Sequence, residues 1–240
     1  MKIKCRIIGF DLDGTLLNSE KHIAEHTREV LTRAVEQGIW ILPVTGRPLG
    51  GLPKEVVEFP GVQYAITANG ARIMETQTGG CLYERLVPVK TAEQIMEIFS
   101  DYDALREVYY GGKGYAEAEE FSRVGEYMRS PQMAAYVRAT RTPVPDILQL
   151  IREKGQDTDK VQGVFKIDEE RTEARKRLEA VEGIEVTGAL SNNIEVNAAG
   201  VDKGNAILWF ADHLGIPHEE VAGFGDGNND IQLLKKAGIG

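Results

Sequence analysis

Four short clusters carry most of the side chains that could do chemistry: Asp11 and Asp13, followed by Gly14 and Thr15; Thr45 and Gly46; Lys203; and Asp226, Asn229 and Asp230. Residues i and i+2 of an extended chain project to the same side, so Asp11 and Asp13 can present two carboxyl groups to one substrate. A phosphate monoester calls for such a pair. One carboxylate attacks phosphorus and forms an acyl phosphate, while the other protonates the departing oxygen. The expected nucleophile is Asp11, and the expected general acid, then base, is Asp13. Several carboxylates in one crevice repel one another unless a cation intervenes, and an all-oxygen donor set completed by water is what magnesium prefers. Asp11 and Asp226 are the side-chain ligands expected for Mg2+, which would shield the nucleophile from the phosphate's charge. Lys203 adds a second positive centre. The Thr45 hydroxyl, the Gly46 amide and Asn229 are candidate donors to the remaining phosphate oxygens.

These clusters can meet only if the elements before them end at one edge. The mostly apolar run from Ile3 to Phe10 predicts a buried strand that stops at Asp11. Val30, Leu31, Ala34 and Val35 fall at helical spacing within His26 to Gln37, and Gly38 is placed to terminate that helix. Ile39 to Val44 predicts a second strand, ending at Thr45, although Pro43 cannot donate to a sheet ladder. Strand, helix and strand make a βαβ unit. Val62 to Ala68, then Asn69-Gly70, then Ala71 to Met74 predicts a hairpin with a two-residue turn, and Gly79-Gly80 a further turn.

From about Cys81 to Thr187 the pattern is mixed: a helix near Ala92 to Tyr102, strand-like pieces near Val108 and Val164, and a helix near Arg171 to Val181. The βα rhythm then returns, with a short strand at Asn193 to Val196, a helix at Lys203 to Leu214 and a buried strand at Glu220 to Phe224. The strands of a parallel α/β sheet share one carboxyl edge, and ligands bind in the crevice there. The prediction is a discontinuous α/β core, residues 1–80 and 188–240, interrupted by an α+β insertion over 81–187.

Composition narrows the function classes. With 42% apolar and 27% charged residues in a chain of 240, neither disorder nor a fibrous repeat is expected. A formal charge of −9 argues against general nucleic-acid binding, which rests on clustered Lys and Arg; an acidic protein that handles phosphate needs a local cation. No apolar run approaches a membrane helix, and the first is cut short by Asp11, so neither a signal peptide nor an anchor is expected. Cys5 and Cys81 match no zinc or redox spacing, and the expected compartment is a reducing cytoplasm. The expected partner is a small phosphorylated metabolite, with no nucleic acid and no membrane.

Phe10-Asp11-Leu12-Asp13-Gly14-Thr15-Leu16, Thr45-Gly46-Arg47-Pro48, Lys203-Gly204 and Gly225-Asp226-Gly227-Asn228-Asn229-Asp230 resemble, in order, the four motifs of the haloacid dehalogenase superfamily. Val44-Thr-Gly-Arg-Pro, the segment around Asn69-Gly70 and Gly200-Val-Asp-Lys-Gly204 are similar in particular to its Cof-like sugar-phosphatase branch. The resemblance implies a Rossmann-like core with a C2-type cap inserted between the second and third motifs. It implies Asp11 as nucleophile and metal ligand, Asp13 as acid/base and as ligand through its backbone carbonyl, and Asp226 as ligand. Asp230 would support the metal shell, and Thr45, Gly46, Lys203 and Asn229 would bind phosphate. It also implies a further strand and helix beyond the position of Gly240, where this sequence stops.

Each motif has a plainer reading. Asp-x-Asp-Gly is common in turns, Thr45-Gly46 can simply end a strand, and a lone lysine at a helix start is usually solvated; the order of the four outweighs these. Arg47 reads as an ordinary surface residue and stays outside the site. An EF-hand is excluded by Leu16 and His22 at the loop's sixth and twelfth positions. Gly111-Gly112-Lys113-Gly114 lacks the hydroxyl residue of a P-loop and reads as a turn, and Tyr109, Tyr110 and Tyr115 as packing. Two functional alternatives share the motifs: a phosphomutase using the same aspartyl-phosphate, and a non-catalytic phospholigand-binding protein.

Overall fold

The computed structural model describes residues 4–240, so Ile3, the first residue of the predicted opening strand, lies outside the described residues. The chain divides into two units, residues 1–84 with 201–240 and residues 85–200. The first segment runs β1 (Ile7–Phe10), α1 (Glu25–Glu36), β2 (Trp40–Pro43), a short α2 (Lys54–Val57), and the antiparallel trio β3 (Tyr64–Thr67), β4 (Arg72–Glu75) and β5 (Cys81–Glu84). The second unit follows with α3 (Val89–Ser100), β6 (Ala104–Tyr110), β7 (Lys113–Glu117), α4 (Ala118–Ser122), α5 (Val124–Tyr127), α6 (Pro131–Thr140) and β8 (Arg141–Val144). It continues through α7 (Ile147–Lys154), β9 (Lys160–Phe165), α8 (Asp168–Leu178), β10 (Ile184–Thr187) and β11 (Asn193–Ala198). The chain then returns to the first unit with α9 (Lys203–His213), β12 (Val221–Phe224) and α10 (Ile231–Lys236).

In the first unit β1 is the central strand, parallel to β12 on one side and β2 on the other, with Phe10 in register with both Phe224 and Pro43. The three strands therefore end level, as the positions of the polar clusters require. Alternation separates two cores. Ile7, Leu42 and Val44 pack with Ile207 and Phe210 of α9, whereas Phe10 and Ile41 pack with Leu31 and Ala34 of α1. Each fully buried Ile, Leu or Phe stabilises the fold by roughly 1.5–3 kcal/mol. Gly9 permits the approach of α9, since a Cβ there would stand 2.2 Å from Ile207 Cδ1. Among the described residues no helix is long and apolar enough to cross a membrane.

Pro43 has a structural explanation. The amides of Trp40 and Val44 donate to Arg6 and Phe10 on the β1 side, so by alternation the nitrogen at position 43 faces away from β1. The first bond on the other side comes later, from the Thr45 amide to the Ile66 carbonyl. The proline thus sits where the ladder asks for no donor.

The Asn69-Gly70 hairpin also differs from expectation. Thr67 pairs with Arg72, leaving Ala68 to Ala71 as a four-residue connection, and Ala68 and Asn69 both take positive φ (49° and 61°). Its amides are spent on the neighbouring loop: Ala68 donates to the Arg47 carbonyl and Asn69 to that of Thr45.

The insertion's edges move as well. β5 belongs with the first unit, and Asn193–Ala198, read from sequence as the return to the core after residue 188, is instead a strand of the second unit's sheet. That six-stranded sheet runs β10-β11-β9-β6-β7-β8, with β11 antiparallel to β9. A short, buried, alternating strand looks the same in either sheet, and only its partner tells them apart.

Candidate active site

Asp11 is the first residue after β1, and its amide still donates to the Phe224 carbonyl of β12. The chain then turns back: Leu16 and Leu17 donate to the carbonyls of Asp11 and Leu12, while Leu12, Leu16 and Leu17 are buried among the α1-side core. Gly14 makes the turn at φ 91°, and a Cβ there would stand 2.3 Å from Asp226 Oδ2. The first and last motifs therefore touch at a glycine, and Thr15 Oγ1 adds a 2.9 Å hydrogen bond to Asp226 Oδ1.

Lys203 opens α9, behind an Asp202 carboxylate that caps the helix by accepting from the Asn205 amide. A cation at a helix N-terminus opposes the macrodipole, and this one is fully buried. Two carboxylates compensate it: Nζ lies 2.6 Å from Asp11 Oδ1 and 2.6 Å from Asp230 Oδ1. The other oxygen of Asp230, Oδ2, accepts from the Asp226 and Gly227 amides at 3.1 and 2.8 Å, so this buried side chain shapes the loop that presents Asp226. Carboxylate oxygens of Asp11, Asp226 and Asp230 lie within 4.8 Å of one another. Three clustered carboxylates, two of them on one ammonium, leave an excess of negative charge, and the donors are all oxygen. That set fits a magnesium ion, with Asp11 and the exposed Asp226 placed to ligate it and Asp230 committed to Lys203 and backbone amides. Burial pushes the Asp11 carboxyl above the usual carboxylate range, against the opposing pull of Lys203.

The Asp13 carboxylate is not one of the three that converge. Arg47 holds it in a two-pronged contact, Nε to Oδ2 at 2.8 Å and Nη2 to Oδ1 at 2.7 Å, and Lys21 Nζ reaches Oδ1 at 2.8 Å. Burial alone would raise this carboxyl, but the two cations outweigh it and hold it below the usual range. Thr45 is buried, with Oγ1 accepting from the Arg47 amide at 3.1 Å, and Gly46 lies between them. Asn229 Nδ2 donates to Asn69 Oδ1 at 3.2 Å. Among the described residues no hydrogen bond joins Thr45 or Asn229 to the carboxylate trio.

The structure thus draws in four residues to which the sequence reading gave no role in the site: Arg47, Lys21, Thr15 and Asn69. Arg47 had a signal, its place within Thr45-Gly46-Arg47, and the expectation of an ordinary surface residue is corrected by its two bonds to Asp13. Lys21 had none, because nothing in its spacing announces that its loop folds back.

The sequence pattern of the family described as haloacid dehalogenase-like hydrolase matches residues 8–240. The chain is 27% identical over 240 residues to the 5-amino-6-(5-phospho-D-ribitylamino)uracil phosphatase YcsE of Bacillus subtilis, covering 99% of this chain and 83% of that protein. It is 25% identical to the pyridoxal phosphate phosphatase YbhA of Escherichia coli, covering 98% and 86%. A solved haloacid dehalogenase-like hydrolase from B. subtilis superposes with a TM-score of 0.84 at 26% identity, covering 97% of this chain and 87% of that one.

Proposed function

The chain belongs to the haloacid dehalogenase-like hydrolases and is a phosphoric monoester hydrolase of their Cof-like branch, and from that premise we propose that Asp11 is the nucleophile of a magnesium-dependent phosphatase acting on small phosphorylated metabolites. The observation that carries this reading is the meeting of Asp11, Asp226 and Asp230 at the level ends of β1 and β12, with Lys203 bonded to Asp11 and Asp230.

Asp11 attacks phosphorus, its new O–P bond forming as the bond to the leaving oxygen breaks, and the protonated Asp13 gives its proton to that oxygen. Water then bonds to phosphorus while the acyl O–P bond breaks; Asp13, now a carboxylate, takes the water's proton, and phosphate and free Asp11 are restored. Lys203 stabilises the anionic form of Asp11 before attack and charge on the transferred group afterwards. The Thr45 hydroxyl, the Gly46 amide and Asn229 donate to the remaining phosphate oxygens. Mg2+, held by Asp11, Asp226 and the Asp13 carbonyl, would supply Lewis-acid stabilisation of the transferring oxygens. The inserted unit would act as the cap that selects the leaving group. The two named relatives act on phosphate esters of small heterocyclic metabolites, which supports the same substrate class here.

The test is phosphate release from p-nitrophenyl phosphate with and without Mg2+, for wild type and Asp11→Asn. Release should depend on Mg2+ and fall by roughly a thousand-fold or more in the variant, the scale of losing a covalent nucleophile. Release that survives unchanged in Asp11→Asn would sink the mechanism.

A further inference from the structure

We propose that Asn69 is a positioning residue that orients the side-chain amide of Asn229 to donate to the transferred phosphate. This rests on the reading of Asn229 as a phosphate donor. The turn Ala68 to Gly70 touches all three segments proposed to bind that phosphate, around Thr45-Gly46, Lys203 and Asn229, and Asn69 stands at its centre.

The turn is fixed to the phosphate segments before its side chain acts. The Asn69 amide donates to the Thr45 carbonyl at 3.0 Å and the Ala68 amide to the Arg47 carbonyl at 3.0 Å, one bond on either side of Gly46. The Thr45 carbonyl and the Gly46 N–H belong to one planar trans peptide, so drawing the carbonyl toward Asn69 sends the N–H the opposite way. A Cβ on Gly70 would stand 2.6 Å from the Asp202 carbonyl oxygen and 3.0 Å from Ala206 Cβ, so the turn also lies against the start of α9, which Lys203 opens. From this platform Asn69 Oδ1 reaches the last motif and accepts from Asn229 Nδ2 at 3.2 Å. An amide has an NH2 end and an oxygen end of nearly the same shape, and only the first can donate to an anion. The acceptor at Asn69 selects that end, engaging one hydrogen of Nδ2 while the second remains to donate.

The backbone is strained to make this contact. Ala68, Asn69 and Gly70 take φ 49°, 61° and 106°, three left-handed residues in a row, two of which carry a Cβ. Such strain persists where the surroundings impose it, and it clusters at functional sites. Asparagine is among the few side chains that tolerate this conformation, and Asn69 is only 2% exposed. A turn that merely joined β3 to β4 would need no buried amide bonded to a residue 160 positions away.

The test measures kcat, KM and the inhibition constant of inorganic phosphate, with p-nitrophenyl phosphate as substrate. The variants are Asn69→Gly, Asn69→Ser, Asn229→Ala and the Asn69→Gly/Asn229→Ala double variant. Asn229→Ala should weaken phosphate roughly 10-fold or more, the scale of a hydrogen bond to a charged group. Asn69→Gly should weaken it roughly 3- to 10-fold, and the double variant should match Asn229→Ala, because the lost side chain acts only through its partner. KM should rise with the inhibition constant. Glycine relieves the positive φ whereas serine keeps it, so Asn69→Gly should melt above Asn69→Ser; both should nevertheless weaken phosphate equally, since neither side chain reaches Asn229. Phosphate affinity that instead follows the melting temperature, or a fall in kcat with KM and the inhibition constant unchanged, would reduce Asn69 to a structural role and overturn the proposal. Losses that add in the double variant would show that Asn69 acts independently of Asn229, and would overturn it too. Wild-type phosphate affinity in Asn229→Ala would remove the donor assignment and the inference with it. A loss in Asn229→Ala beside wild-type affinity in both Asn69 variants would remove the inference alone.

Discussion

Buried ion clusters in the two units balance their charge in opposite ways. In the second, two buried pairs sit inside strands with charges matched one to one: Glu107 of β6, fully buried, accepts from Arg141 Nε at 3.1 Å and from the Tyr109 hydroxyl at 2.5 Å, and Lys160 of β9 meets Glu195 of β11 at 2.7 Å. In the first, Asp11 and Asp226 come just after strands, and the cluster holds more carboxylates than cations: Asp11 and Asp230 share the ammonium of Lys203, and an oxygen of Asp226 lies within 4.8 Å of theirs. A low-dielectric interior makes an unmatched charge expensive. Where the match is complete, the charges hold a sheet together; where it is left incomplete, the surplus is available to a cation and a substrate.

The largest expected effects test that contrast directly. Lys203→Met and Arg141→Met each strand buried carboxylate, and each should cost about 3–5 kcal/mol in denaturant unfolding without metal. Magnesium should narrow the gap to wild type for Lys203→Met and leave it unchanged for Arg141→Met; the same response in both would break the comparison. Next comes a pair of glycines with positive φ. Gly14→Ala and Gly111→Ala should each lose about 1–2 kcal/mol from the left-handed backbone, but an alanine methyl at 14 meets Asp226 whereas one at 111 meets open space. Titrating activity with magnesium should show a higher half-saturation concentration for Gly14→Ala alone. The smallest effect concerns Asp11. Its folded carboxyl lies above the usual range, so its contribution to stability is present at pH below the ordinary carboxylate value and is lost as pH rises through the raised one. Asp11→Asn, metal-free, should therefore melt above wild type at neutral pH, and the difference should vanish in acid.

How much of this could be read from the amino acids alone follows from the same contrast. β1, α1, β2, α9 and β12 were legible because they are buried on both faces or along one helical stripe, and the four motifs were legible because three follow such a strand and the fourth, at Lys203, opens α9. Gly38 ended α1 as read, with φ 76° and its amide on the Val35 carbonyl. The second unit was legible only in outline. β7, β8 and α4 to α7 are short, and their strands carry charge inward, as Glu117 of β7 and Arg141 of β8 do, so polarity there misreports burial. Lys21 and Arg47 were hidden for another reason: their partner is Asp13, and a contact between loops leaves no period in the sequence.

The first unit's discontinuity sets an order of events during synthesis. Thr15 and its bond partner Asp226 are separated by 211 positions, and Asp11 and Lys203 by 192. At roughly 5–20 residues per second the ribosome makes the first of these pairs about 10–40 s apart. During that interval β1 has no β12 to pair with and Asp11 has no lysine, whereas residues 85–200 form one uninterrupted stretch that emerges whole. Asp11 is thus made well before its counter-charge Lys203 and the neighbouring acids Asp226 and Asp230, so the carboxylate cluster can assemble only once that later segment has been made.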